Sequence, residues 1–291
     1  MNRKDFIKFA AIGLGMTTLA AFKNSIDNLV FSEEKMPVFF IGHGSPLNAI
    51  EQNEFSKKWK NLGESMPKPK AILCISAHWL TNGSFVTASA NPGQIYDFYG
   101  FPPALYSKKY PAKGNTNLAV EISKSVPNNQ VQADYSYGLD HGTWSILSQM
   151  YPEADVPVIQ LSIDITKDEK YHFELAKYLK DLPEKGILVV GSGNIVHNLS
   201  MISWEHLNTE FAFDWATEIN SKVVKMMEER NMQALFNLPE SSKASKLSIP
   251  TNDHFLPLLY ALGTNEKAGN IEIFNNKIIA GSLSMTSVKI S

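Results

Sequence analysis

The segment AILCISAHW, residues 71–79, decides the fold of this chain. It begins with a continuous run of apolar and small side chains of strand length, and a histidine follows directly after the run. Such a run is typical of a strand that is covered on both faces, as in the parallel sheets of α/β proteins. This run predicts a strand at 71–76, and similar runs predict further strands at 38–41, 156–162 and 187–191.

Segments of helical period lie between these runs. Apolar residues recur there at intervals of three and four positions, which predicts helices at 53–61, 115–125, 168–181, 209–229 and 254–262. The segment 279–290 alternates like a strand, and 238–252 is predicted to be a long loop. Because residues 36–291 contain no repeat or linker, we predict a single α/β domain with a central mixed sheet flanked by helices on both faces.

Composition narrows the kind of partner. The 291 residues are 44% hydrophobic and 19% charged, as in a globular domain, and 27 basic against 29 acidic side chains give a net charge of −2. That balance argues against nucleic-acid binding, which requires clustered positive charge, and favours a small-molecule substrate. Cys74 is the single cysteine and lies in an apolar run, so it is predicted to be a buried, inert thiol.

The first 30 residues differ from the rest of the chain. Arg3 and Lys4 precede an apolar stretch at 9–22, which is short for a membrane span but well sized for an export signal. The segment resembles a twin-arginine signal, with Lys4 where the second arginine belongs. We therefore expect export to the periplasm and no other membrane association. The alternative is an amphipathic helix packed on a cytoplasmic domain.

Five of the seven histidines occur in short motifs of small residues that end predicted strands or open predicted helices; they are His43, His78, His141, His197 and His254. Imidazole is a common zinc and iron ligand and transfers protons near neutrality. In open α/β sheets, ligands bind at the carboxyl ends of the strands. His43, His78 and His197 each come just after a predicted strand, so these three histidines are expected to converge there. The sequence therefore predicts a metal-centred active site.

The other two histidines and the serines have less distinctive surroundings. His172 lies within a predicted helix and His206 in a polar loop, so both are predicted to be structural or exposed. Ser45 and Ser192 are near glycines but neither lies in a Gly-x-Ser-x-Gly motif, which argues against a serine hydrolase. The Gly-Ser-Gly-Asn turn at 191–194 lacks the dinucleotide-binding spacing and the lysine of a phosphate loop.

Seven motifs, taken together and in order, resemble the class III extradiol ring-cleaving dioxygenases, and within them the 4,5-DOPA dioxygenase subfamily. The resemblance covers residues 36–291 and is carried by FIGHGSP at 40–46, SAHW at 76–79, YDFYGFP at 96–102, GLDHGTW at 138–144, PVIQLS at 157–162, GSGNIVHNL at 191–199 and HFLPL at 254–258. One departure is Asp253, where relatives usually carry a glutamate.

The resemblance implies a role for each clustered histidine. The metal ligands match His43, His78 and His254, and His197 matches a further ligand or the catalytic base. The position of His141 matches a residue that contacts the substrate and assists proton transfer. The implied cofactor is one divalent metal ion, Fe(II) for dioxygenase activity or Zn(II).

The implied reaction cleaves the ring of a catechol such as DOPA with O2 and gives a ring-opened semialdehyde. The partners would be a small aromatic diol and O2, and the candidates for an aromatic wall are Tyr96, Phe98, Tyr99, Phe101 and Trp144. An all-imidazole site also suits zinc, which has no redox chemistry. The alternative is therefore a zinc-dependent hydrolase, or a non-catalytic metal- or ligand-binding protein on the same fold.

Overall fold

The computed structural model describes residues 35–207, 209–265 and 270–291, so the predicted leader at 1–30 lies outside the described residues. A large twisted sheet organises this part of the chain. The strands are β1 Val38–Gly42, β2 Ala71–Thr81, β3 Ser84–Thr87, β4 Val131–Asp134, β5 Val158–Asp164, β6 Ile187–Gly193, β7 Ile271–Phe274, β8 Ile278–Ile279, β9 Leu283–Ser284 and β10 Ser287–Ile290.

Eight of these strands form one mixed sheet in the order β4-β3-β5-β2-β6-β1-β10-β7. The four central strands β5, β2, β6 and β1 are parallel, whereas β10 pairs antiparallel with β1 and with β7. Every residue of β1, β5 and β6 is buried. The continuous apolar runs thus form strands covered on both faces, and the predicted mixed sheet is confirmed.

Helices cover both faces of the sheet. The α-helices in the described ranges are α1 Glu54–Glu64, α2 Pro103–Ser107, α3 Thr116–Ser125, α4 His141–Met150, α5 Glu169–Ala176, α6 Asp214–Glu228, α7 Met232–Asn237, α8 Lys243–Ser248 and α9 Leu256–Thr264. Alternate residues of β1 enter different cores, as the two-residue period of a strand requires. Val38 and Phe40 pack with α5, α6 and α9, whereas Phe39 and Ile41 pack with α1 and α4.

Two predictions at the end of the chain were wrong. The segment 279–290 is not one strand, because Ala280 and Gly281 adopt positive φ angles of 52° and 80° and turn the chain between the short antiparallel strands β8 and β9. The segment 238–252 is not simply a loop, since it contains α8. The Ser242 hydroxyl accepts a hydrogen bond from the Ser245 amide and caps that helix.

Two predicted helices are shorter in the structure. The helix predicted at 209–229 begins only at Asp214, because the amides of Phe211 and Phe213 donate to the carbonyls of Ile278 and Gly281. The helix predicted at 168–181 ends at Ala176 and continues as a 3₁₀ turn. No helix among the described residues is long and apolar enough to cross a membrane.

The predictions for Cys74, His172 and His206, which lie outside the histidine cluster, are confirmed. Cys74 is buried, and burial raises the pKa of its thiol, which keeps it protonated. His172 is fully buried and its Nδ1 lies 3.0 Å from the Tyr260 hydroxyl. His206 lies outside the sheet, with its Nδ1 2.8 Å from the Ser203 hydroxyl. Both histidines therefore have structural surroundings.

His172 makes the stability of the fold depend on pH. Burial lowers its pKa from 6.5 to about 4, so the folded protein keeps the ring neutral while the unfolded chain takes up a proton below pH 6.5. The contribution of the neutral His172 ring to the free energy of unfolding is fully present above pH 6.5. It is lost as the pH drops towards 4, by up to about 1.4 kcal/mol per pH unit. We expect His172→Asn, which keeps a polar partner for Tyr260, to flatten this slope.

The measurement is the free energy of unfolding of both proteins from pH 7.5 to 4 by urea denaturation after metal removal. The clustered histidines are common to both proteins, so their acid sensitivity cancels in the difference. Parallel pH curves for the two proteins would contradict the prediction, because they would mean that the pKa of His172 is the same in the folded and the unfolded protein.

Candidate metal centre

Four imidazoles meet at the carboxyl ends of the parallel strands. His43 directly follows β1, His78 lies within β2, His141 is the first residue of α4, and His254 lies just before α9. The centroid of the His43 ring is 5.0 Å from that of His78, 5.8 Å from that of His141 and 5.3 Å from that of His254. Residues far apart in sequence therefore form one cluster at this edge of the sheet.

A distortion of β2 places His78 in this cluster. The pairing of β2 with β5 runs to Ile75 opposite Leu161 and resumes only at Leu80 opposite Ile163. The four residues 76–79 therefore face a single residue of β5, so β2 contains a bulge that includes the histidine. Bulges of this kind often redirect a side chain next to an active site. The sequence predicted that the strand ends at 76, whereas it continues through the bulge to Thr81.

The backbone around His254 is held against the end of β6. The Asn194 amide donates to the His254 carbonyl oxygen over 2.9 Å. A Cβ atom on Gly193 would lie only 2.2 Å from that same oxygen, so glycine is required at this close approach. The glycine-rich segment at the end of β6 thus serves to seat α9 and its histidine.

His43 has a defined tautomer. Its Nδ1 lies 2.9 Å from the Ser192 hydroxyl oxygen, and that hydroxyl donates to the Gly142 carbonyl oxygen over 2.6 Å. Because the serine proton is used in this second bond, Ser192 accepts from Nδ1–H of His43. The proton therefore sits on Nδ1, and Nε2 of His43 presents a lone pair to the cluster.

His254 has the same arrangement. Its Nδ1 contacts the Asp253 carboxylate, and its Nε2 is buried without a hydrogen-bond partner. A buried nitrogen of this kind is costly unless something binds it. The Asp253 carboxylate thus orients this ring through Nδ1.

The carboxylate of Asp97, which no sequence motif singled out, lies beside the cluster. It follows the irregular segment after β3, and its Oδ2 lies 2.9 Å from Nδ1 of His141 and 3.5 Å from Nδ1 of His78. Its Oδ1 accepts a hydrogen bond of 3.0 Å from the backbone amide of His141. Asp97 belongs to the YDFYGFP motif at 96–102. The aromatic residues of this motif were predicted to form a wall of the site, whereas its one acidic residue, which could have indicated this contact, was given no role.

The electrostatics keep the rings of His43, His78 and His254 in the neutral form, with one proton each. Burial and the neighbouring imidazoles lower the pKa of His43 and His254 well below the usual value, and that of His78 to about 3. Burial acts to raise the pKa of Asp97, but the hydrogen bonds and charge of His141 outweigh it and the pKa lies below the usual value. The neutral rings of His43, His78 and His254 thus lie beside the ionised carboxylate of Asp97.

This donor set fits a metal ion. The Nε2 atoms of His43 and His78 are 3.2 Å apart, close to the roughly 3.0–3.4 Å expected for two nitrogens about 2.1 Å from one ion. The ring centroids of His43, His78 and His254 form a nearly equilateral triangle with sides of 5.0, 5.0 and 5.3 Å. Nitrogens of His43, His78 and His141 also lie within 4.8 Å of one another. Four imidazoles are therefore available for one ion and its surroundings.

His197 joins the cluster in a different way. Its ring stacks on His254 with the centroids 3.5 Å apart and the planes 6° apart. An imidazole binds a metal in the plane of its ring, so two parallel rings at this separation are poorly placed to share one ion. Burial lowers the pKa of His197 to about 4.

The predicted aromatic wall is only partly formed. Phe98 meets the His141 ring edge-to-face at 5.5 Å, and Phe101 and Tyr96 pack against Phe98. Trp144 is fully buried behind them in the core. Tyr99 is 92% exposed and lies outside the wall.

Comparison with known proteins identifies the family. The family model for the catalytic LigB subunit of aromatic ring-opening dioxygenases matches residues 37–287. The chain belongs to the LigB family. The described α/β fold and the histidine cluster lie within the matched region. The predictions of an extradiol dioxygenase fold and of an oxidoreductase that opens aromatic rings are thereby confirmed.

Individual relatives agree with this family assignment. The chain is 41% identical to the Escherichia coli K12 protein named 4,5-DOPA dioxygenase extradiol, over 91% of this chain and 98% of that protein. It is 35% identical to the Beta vulgaris protein of the same name, over 86% and 95%. A crystal structure of an uncharacterized Escherichia coli K12 protein, 38% identical, superposes with a TM-score of 0.77 over 88% of this chain and 100% of that chain.

Proposed function

We propose that this LigB-family enzyme cleaves a catechol such as DOPA in the extradiol position, using O2 and Fe(II), and yields a ring-opened semialdehyde. The observation that carries the proposal is the cluster of imidazoles whose nitrogens lie within 4.8 Å of one another beside the carboxylate of Asp97. The names of the Escherichia coli and Beta vulgaris relatives support DOPA as a substrate.

In this proposal His43, His78 and His254 hold the metal. Their near-equilateral arrangement and the unpartnered Nε2 of His254 favour this set over one that includes His141, whose ring lies 3.9 Å from His78 but 5.8 Å from His43. When bound, Fe(II) supplies the redox chemistry that O2 needs to react with the ring, which Zn(II) cannot supply.

The proposed roles of the remaining residues follow from their positions. His141 holds its Nδ1 against Asp97, so its Nε2 is available to take a proton from a catechol hydroxyl. Phe98 packs on the edge of His141 and limits where an aromatic ring can lie. His197, stacked on His254, is placed to handle a second proton or contact the substrate rather than to hold the ion.

We expect His43→Ala, His78→Ala and His254→Ala each to abolish stoichiometric metal binding, because each removes one of three ligands. His206→Ala, outside the cluster, is the control and should bind one equivalent. Metal content measured by elemental analysis after Fe(II) loading and desalting checks this. A full equivalent of tightly bound metal in any of the three variants would contradict its ligand role.

We expect the Fe(II)-loaded enzyme to consume one O2 per catechol and to form a yellow semialdehyde from L-DOPA or another catechol, whereas the Zn(II)-loaded enzyme stays inactive. His141→Ala should keep its metal and lose about 10²–10⁴-fold in kcat. Anaerobic reloading, oxygen uptake and absorbance spectra are the measurements. A fully iron-loaded protein that consumes no O2 with any catechol would refute the dioxygenase proposal.

We also propose that residues 1–30 direct the protein out of the cytoplasm through a twin-arginine-like route. The support is the order of Arg3, Lys4 and the apolar stretch at 9–22. A reporter fused to residues 1–35 should reach the periplasm, and replacing Arg3 and Lys4 together by glutamine should retain it in the cytoplasm. Cytoplasmic retention of the unaltered fusion would contradict the proposal.

A further inference from the structure

The segment that carries Asp97 is fixed against the segment that leads into α4. The Ile95 amide donates to the Leu139 carbonyl over 2.8 Å, and the Leu139 amide donates to the Gly93 carbonyl over 2.7 Å. The Trp144 indole also donates to the Ile95 carbonyl over 2.9 Å. The segment that carries the carboxylate is therefore held by the backbone of Leu139 on one side of His141 and by the Trp144 indole on the other.

The approach of these segments requires glycine at position 138. A Cβ atom on Gly138 would lie 2.3 Å from the Gly93 carbonyl oxygen. The Gly93 carbonyl is part of the backbone and cannot move without displacing its segment. A side chain at position 138 would therefore push the segment carrying Asp97 away from α4. The short distance between Asp97 and His141 is thus built into the backbone and does not depend on side-chain flexibility.

Both oxygens of Asp97 are occupied by the same residue. Oδ1 accepts from the backbone N–H of His141, and Oδ2 lies against Nδ1 of the ring. An ionised carboxylate only accepts hydrogen bonds, so Nδ1 must carry a proton, and in the tautomer with a single ring proton the lone pair lies on Nε2. This two-point contact fixes the position of the ring and its tautomer.

We propose that Asp97 is the positioning residue that fixes His141 in the Nδ1–H tautomer and thereby allows Nε2 to act as the base in ring cleavage. The inference rests on the proposed function. Nε2 of His141 takes the hydroxyl proton of the catechol, and the ring then carries a proton on each nitrogen. Asp97 stays ionised and stabilises this cation, and the proton passes back to the ring-opened product.

Oδ2 of Asp97, which contacts His141, also lies 3.5 Å from Nδ1 of His78, a proposed metal ligand. Asp97 therefore links the residue that moves the proton to one that holds the metal. A carboxylate behind a ligating imidazole orients the ring and increases its basicity as a ligand. This is the carboxylate that the sequence did not reveal.

Asp97→Asn is a specific test because the backbone contact fixes the orientation of the new amide. The amide oxygen must take the place of Oδ1 to accept from the His141 backbone N–H, which puts the amide NH2 where Oδ2 was. That NH2 donates to Nδ1 of His141 and forces the ring proton onto Nε2. The substitution thus inverts the tautomer with almost no change in volume.

The kinetic test compares iron-loaded wild type, Asp97→Asn and Asp97→Glu. We expect Asp97→Asn to lose at least about 100-fold in kcat while KM for the catechol changes by less than about three-fold, as expected when an orienting carboxylate is removed from a catalytic histidine. Asp97→Glu keeps an ionised acceptor and should recover part of the loss. Each variant should still bind one equivalent of metal.

The matched control is Asp168→Asn. Asp168 caps α5 by accepting from the Tyr171 amide, and asparagine caps a helix equally well. This variant should therefore keep wild-type kcat. If Asp97→Asn lowers kcat only because the protein is destabilised, its melting temperature should fall well below that of the control.

Tautomers are read directly on the diamagnetic zinc-loaded protein. Long-range proton–nitrogen correlation spectra of ¹⁵N-histidine-labelled protein report which ring nitrogen carries the proton, and His141→Ala assigns the resonances. We expect the Nδ1–H form in wild type and the Nε2–H form in Asp97→Asn. An Nε2–H form in wild type, or an unchanged tautomer in the variant, would overturn the inference.

These outcomes separate the inference from the proposed function. An iron-loaded wild type that opens no catechol refutes the proposed function, and the spectra still report whether Asp97 sets the tautomer. An active wild type together with an Asp97→Asn variant of unreduced kcat refutes the inference alone.

Discussion

An imidazole can offer the lone pair of Nε2 only when its Nδ1 carries the proton, and a buried N–H requires an acceptor. The arrangement of the site follows from this constraint. Ser192 supplies the acceptor for His43, Asp253 for His254 and Asp97 for His141. Each acceptor comes from a different segment of the chain, so the tautomers depend on how those segments pack.

The sheet makes this packing possible. Parallel strands β1, β2 and β6 bring their carboxyl ends to one edge, and the side chains that follow them converge there. Close approaches at Gly193 and Gly138 then bring α9 and the segment carrying Asp97 up to that edge. Burial in this packed region also lowers the pKa of His43 and His254, so these imidazoles remain neutral.

The pair of carboxylates resolves a chemical difficulty of the all-imidazole site. A doubly charged ion surrounded only by neutral rings in a buried pocket is poorly compensated. Asp97 and Asp253 place negative charge one hydrogen bond behind the rings, where it offsets the charge of an ion without occupying a coordination position.

The sequence alone determined the α/β class, the central strands and the five histidines of the cluster, because continuous apolar runs and the residues that follow them are local features. It also determined the family, since seven motifs in order are specific. It misplaced the end of β2 and missed α8, where a bulge and a serine cap override the hydrophobic pattern. Only the tertiary structure decided which nitrogen of the His43 and His141 rings faces the cluster. That choice depends on hydrogen-bond acceptors far away in sequence, such as Asp97, which lies 44 residues from His141.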